Sequence, residues 1–181
     1  MKEFIYPEMM VHVPVCTSKN PQNVLIISDN ADRLEKEIKK HREINYKVVS
    51  CSIDALRNEA DASADVVICE KHDDSALLAH ISRVLKEDGQ LSISHPSLKE
   101  VEENKSLMGI LGKYFKVVMP YNLNNGYSAL LASKEYHPTA DINLHRAEML
   151  DGLDFYNCDV HIASFAMGNY IRKEYLGIIK N

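Results

Sequence analysis

Short apolar runs alternate along the chain with stretches whose apolar residues recur every three or four positions. Residues 24–28 place four consecutive apolar side chains between Asn20-Pro21 and Asp29-Asn30, the profile of a buried strand. From 31 to 41 the period turns helical. Leu34 and Ile38 share one face, while Asp32–Lys36 and Glu35–Lys39 make i,i+4 pairs of the favourable polarity. Residues 46–52 predict a second strand, 55–60 a short helix and 65–69 a further buried strand. Over 75–86, Leu77, Leu78, Ile81, Val84 and Leu85 stand at helical spacing, with Asp73, Asp74 or Ser75 as N-cap and Gly89 as stop. A strand at 91–94, a helix over 98–114 and strands at 115–119 and 127–133 complete the pattern, the last two separated by the turn-rich 122–126.

Strands that alternate with helices imply a mostly parallel sheet covered on both faces. The final pair has a connection short enough for antiparallel pairing. An α/β, Rossmann-like domain is expected, with a mostly parallel sheet closed by an antiparallel hairpin. That arrangement resembles the S-adenosylmethionine-dependent methyltransferase fold. At 181 residues and 45% hydrophobic, the chain suffices for one core, so residues 1–181 read as a single domain.

Composition narrows the chemistry. A net charge of −5 argues against a nucleic-acid partner and is compatible with a small cationic one. No apolar run approaches the roughly 20 residues that span a bilayer, and the start lacks the regions of a signal peptide, so a cytoplasmic protein without a membrane partner is expected. Cys16, Cys51, Cys69 and Cys158 form no CxxC pair, and Cys51 and Cys69 sit in apolar stretches as reduced, buried thiols. The eight histidines form no HxH or HxxxH, so no metal site is expected.

The opening stretch, Glu3-Phe4-Ile5-Tyr6-Pro7-Glu8-Met9-Met10-Val11-His12-Val13-Pro14, resembles the "EFxYHEMxxHxPL" approach to the first strand of spermidine synthases, the polyamine aminopropyltransferases. Residues 85–91 resemble that family's "LxxGG" helix-to-strand turn, and residues 155–167 its closing "YYNxxxHxAAFxLP". Membership implies transfer of an aminopropyl group from decarboxylated S-adenosylmethionine, a co-substrate, to a diamine such as putrescine. No other cofactor is implied. The family's N-terminal β-rich domain has no counterpart here, and matching the later strands leaves out one strand–helix unit between His41 and Tyr46. The apolar surface so exposed suggests a homodimer.

Such a transfer is a displacement at the carbon beside a sulfonium by a neutral amine, whose proton must first be removed from a group with pKa near ~10. The resemblance places the family's "DxxDP" carboxylates at Glu70 and Asp73, expected to be catalytic. It places donor contacts at Asp29, in the glycine-free loop 28–33, and at Asp54, and a diamine-lining tyrosine at Tyr6. Each acidic residue has a plainer alternative: Asp29 as a turn or cap, Asp54 as a cap of the 55–60 helix, Asp73 and Asp74 as caps of the next helix. Tyr121 sits one position from the family's tunnel tyrosine, and His161 reads as structural. A non-catalytic relative serving as a binding module is the alternative to an enzyme. A methyltransferase would share the fold but not the opening and closing segments.

Overall fold

The chain begins with a helix that is apolar on nearly every side. In this computed structural model, which describes residues 2–71, 74–124 and 126–181, α1 (Ile5–Thr17) buries every residue except Tyr6. Amphipathic periodicity cannot mark such a helix, because it has no wet face. Pro7 falls in the first turn, where its missing N–H costs nothing, whereas Pro14 lies deeper and forfeits one helical hydrogen bond.

A six-stranded sheet follows, in the order β2-β1-β3-β4-β6-β5. Its strands are β1 (Asn23–Ile27), β2 (Asn45–Val49), β3 (Ala64–Cys69), β4 (Leu85–Ser94), β5 (Val117–Asn122) and β6 (Ser128–Ser133). β2, β1, β3 and β4 are parallel, and β6 runs antiparallel to both β4 and β5. The parallel sheet closed by an antiparallel hairpin is therefore as expected.

Alternate side chains along each strand feed two cores. Val24, Ile26, Val66, Ile68, Met119 and Leu131 pack with α1 and with α2 (Asp32–Ile38). On the other face Leu25, Ile27, Val67, Leu91 and Leu130 pack with α3 (Ile53–Arg57), α4 (Ser75–Val84) and α5 (Val101–Leu111). Short helices α6 (Leu144–Glu148), α7 (Cys158–Ser164) and α8 (Asn169–Glu174) close the chain.

Several expected boundaries shift. The helix expected over 75–86 ends at Val84, because Leu85 is already extended, and Gly89 stands inside β4 rather than stopping a helix. The β3–β4 register slips between the Ala64–Leu85 and Val66–Gln90 pairs. A Cβ on Gly89 would lie 2.9 Å from Leu85 Cδ2, so close packing explains the glycine. The helix expected over 98–114 is shorter at both ends. Among the described residues, β2 is the edge strand on the outer side of β1.

Candidate active site

The register between β1 and β3 pairs Ile27 with Cys69, so the next residues, Ser28 and Glu70, leave the carboxyl edge of the sheet side by side. Ser28 donates its hydroxyl proton to Glu70 Oε2. The Glu70 backbone is held on both sides: its N–H donates to Ile27 O at 3.1 Å, and its carbonyl accepts the Ser94 hydroxyl at 2.9 Å. The Tyr6 phenol, from the first turn of α1, lies close enough to the Glu70 carboxylate to feel its charge. Burial and then the negative charge of Glu70 push Tyr6 well above the usual tyrosine range, so it remains a donor. Two residues singled out separately in the sequence, Tyr6 and Glu70, are thus brought near each other from opposite ends of a 64-residue span by α1 crossing the sheet.

Asp29 reaches sideways along the same edge. Its Oδ1 accepts the Cys51 backbone N–H at 3.0 Å, tying the loop after β1 to the loop after β2. Cys51 is half-buried rather than enclosed. Burial raises its thiol, as do the carboxylates of Asp29 and Glu70, against the opposing hydrogen bond from Asp29 and the charge of Lys71. Asp54 does not cap the helix. It lies in the first turn of α3, its carboxylate exposed and bonded to Arg57 at 3.0 Å, and the cap is Ser52, which accepts the Ala55 N–H. Asp74 caps α4, accepting from Ala76 and Leu77. Asp73 falls outside the described residues. Tyr121 is fully buried in β5, with its hydroxyl 2.8 Å from that of Ser92.

Behind this edge lies a buried polar network that sequence reasoning missed. Glu8 accepts the backbone N–H groups of Asp154, Phe155 and Tyr156 at 3.0, 2.9 and 2.8 Å. One turn on, His12 places Nε2 2.9 Å from Glu37 and Nδ1 3.0 Å from His41 Nε2. Glu37 also pairs with Lys40 at 2.7 Å. Burial would raise Glu37, but the bonds from His12 and Lys40 outweigh it and hold the carboxyl below its ordinary range. Burial lowers His12, outweighing the bond to Glu37, so the ring is neutral. A carboxylate only accepts, which makes His12 Nε2 the protonated nitrogen and leaves Nδ1 to accept from His41. His161 is structural, as expected: it meets Pro138 O at 3.1 Å and the Tyr156 hydroxyl at 2.8 Å. The opening and closing segments are therefore physically one unit.

The largest of three main clefts, about 490 Å³, is acidic but lies along 147–159, with Glu148, Asp151, Asp154 and Asp159 in its walls. The other two sit at the amino ends of β1 and β2 and beside the chain's end at Met119 and Tyr175. None of the three is lined by Glu70, Asp29 or Tyr6.

The sequence profile of the spermine/spermidine synthase domain matches residues 3–60, which hold α1, β1, Ser28 and Asp29. A polyamine aminopropyltransferase of Helicobacter acinonychis is 26% identical over 200 residues, covering 92% of this chain and 75% of its own. The polyamine aminopropyltransferase of Thermotoga petrophila is 27% identical over 226 residues, covering 98% and 76%. Among solved structures, spermidine synthase from Thermotoga maritima superposes with a TM-score of 0.82 at 24% identity, over 95% of this chain and 74% of that one, which shows a shared fold.

Proposed function

We propose that this chain, a divergent relative of the spermidine synthases, is an aminopropyltransferase that moves the aminopropyl group of decarboxylated S-adenosylmethionine to putrescine. One observation carries the reading: Glu70 leaves the carboxyl edge of β3 with its carboxylate held by Ser28 and near enough to Tyr6 to act on its phenol, where the resemblance expects the base and the diamine-lining tyrosine.

The reaction forms one C–N bond and breaks one C–S bond. The amine lone pair attacks the carbon beside the sulfonium, and the C–S electrons return to sulfur, releasing neutral methylthioadenosine. The sulfonium is already a good leaving group. The protein's tasks are alignment and removal of the amine proton, and a carboxylate beside a phenol suits the second. In this reading Glu70 accepts the proton, Tyr6 orients the acceptor, and Asp73 supplies the second carboxylate. Asp29 keeps one oxygen on Cys51 N–H and offers the other to the donor's ammonium. Asp54 would have to part from Arg57 before it could approach the adenine. Putrescine as the acceptor and a homodimeric assembly belong to the same proposal.

A second reading, a non-catalytic relative, draws on the glycine-free loop 28–33 and on the engagement of Asp29 with Cys51. Incubation with putrescine and decarboxylated S-adenosylmethionine separates the two. An enzyme releases methylthioadenosine, and Glu70→Gln lowers its turnover about a hundredfold or more while the thermal midpoint stays within a few degrees. No product at high protein concentration, with no thermal shift on adding methylthioadenosine, leaves the second reading standing.

A further inference from the structure

Ser28 is 4% exposed, at the point where β1 ends, and both its backbone N–H and its hydroxyl are committed. Its backbone N–H donates to Val49 O at 3.0 Å, which fixes the residue against β2. Its hydroxyl oxygen accepts the Asn30 N–H at 3.0 Å, and the one hydroxyl proton goes to Glu70 Oε2. The direction of that last bond is forced, because a carboxylate has no proton to give.

Glu70 has a rigid backbone and a flexible side chain. Its main chain is pinned between Ile27 and Ser94, but three side-chain torsions separate that main chain from the carboxylate. Adjacent parallel strands run about 4.8 Å apart, a distance that a glutamate spans and a neighbouring hydroxyl can meet. Tyr6 approaches the same carboxylate from α1. The Ser28 hydroxyl leaves acceptor positions free on a group with roughly four lone-pair sites. We infer that Ser28 is a positioning residue: by anchoring one oxygen of Glu70 against the end of β1, it aims the other toward the acceptor amine beside Tyr6. This inference rests on the proposed role of Glu70 as the base.

The test compares wild type, Ser28→Ala and Ser28→Thr, by crystal structure and by steady-state turnover with putrescine and decarboxylated S-adenosylmethionine. Ser28→Ala keeps the backbone bond to Val49 but removes the anchor together with the acceptor of the Asn30 N–H, while Ser28→Thr retains a hydroxyl for both. In the alanine variant the Glu70 carboxylate is expected to leave the β1 end by about 1 Å or more, with kcat falling roughly 10- to 100-fold and the putrescine KM little changed. The threonine variant restores both, and Ser28→Ala has no further effect in a Glu70→Gln background, which a loss of folding would not reproduce. A Glu70 carboxylate that stays in place in Ser28→Ala overturns the proposal, whether or not the protein turns over. So does a displaced carboxylate with unchanged kcat. A displaced carboxylate in a protein whose wild type makes no methylthioadenosine instead sinks the aminopropyltransferase reading and leaves the anchoring role intact.

Discussion

Acid should unfold this protein well above the range in which its carboxylates titrate. Burial lowers His41 to about 3 and His161 to about 4, and lowers His12 as well, so all three rings are neutral in the fold. In the unfolded chain each would take up a proton near its ordinary value of about 6.5. The stability they contribute is therefore fully present above that value. It declines as pH falls below it, until the folded-state value is reached. For one histidine, moving from pH 7 to pH 5 costs about 1.9 kcal/mol by linkage. His41 and His161 together lose about 4 kcal/mol, and His12 adds in the same direction. That is a large share of a typical 5–15 kcal/mol native stability. The depressed carboxyl of Glu37 acts in the same sense at lower pH, its contribution fading as pH falls from the unfolded value through the folded one. Urea unfolding at half-unit steps from pH 7.5 to 4.5 should show a slope of at least roughly 2.5 kcal/mol per pH unit near pH 5 from His41 and His161. His161→Gln should reduce that slope by about 1.4 kcal/mol per unit while lowering stability at pH 7. A wild-type stability that changes by less than 1 kcal/mol between pH 7 and 5 would refute the reasoning, since neutral buried rings cannot escape proton uptake on unfolding.

Two further expectations test the packing. Glu8→Ala leaves the N–H groups of Asp154, Phe155 and Tyr156 without their acceptor, and should cost about 3 kcal/mol or more in urea unfolding; a loss under 1 kcal/mol would mean that the clasp contributes little. Gln90 is fully buried in β4 with neither side-chain Nε2 nor Oε1 partnered, so Gln90→Met should leave stability unchanged or raise it by about 1 kcal/mol. A marked drop in the thermal midpoint would show that the amide is satisfied in solution.

The sheet was readable because each parallel strand is a run of apolar residues that needs two covered faces, and turn residues mark where each run stops. Helix ends were readable where a side chain acts locally, as Asp74 does by accepting from residues two and three positions on. α1 escaped because a helix buried on every side carries no 3.6-residue contrast. Gly89 misled because a glycine that ends a helix and one that admits a neighbouring Leu85 look identical in one dimension. Among the candidate site residues, Glu70 and Tyr6 were visible as types, but their proximity was not. Ser28 passed unnoticed: its significance appears only when Ile27 is seen paired with Cys69, which sets the two following residues side by side.

Sequence by itself determined the α/β class, the order of most elements and the acidic character of the carboxyl edge, all of which follow from local pattern and composition. Only the tertiary structure decided which carboxylates meet what. Glu8 was drawn to the closing segment, Asp54 was left to Arg57 in solvent, and Asp29 was given to Cys51 N–H. The physical reason is that a hydrogen bond between residues 42 or 146 positions apart depends on strand register and helix placement, which the whole core fixes at once.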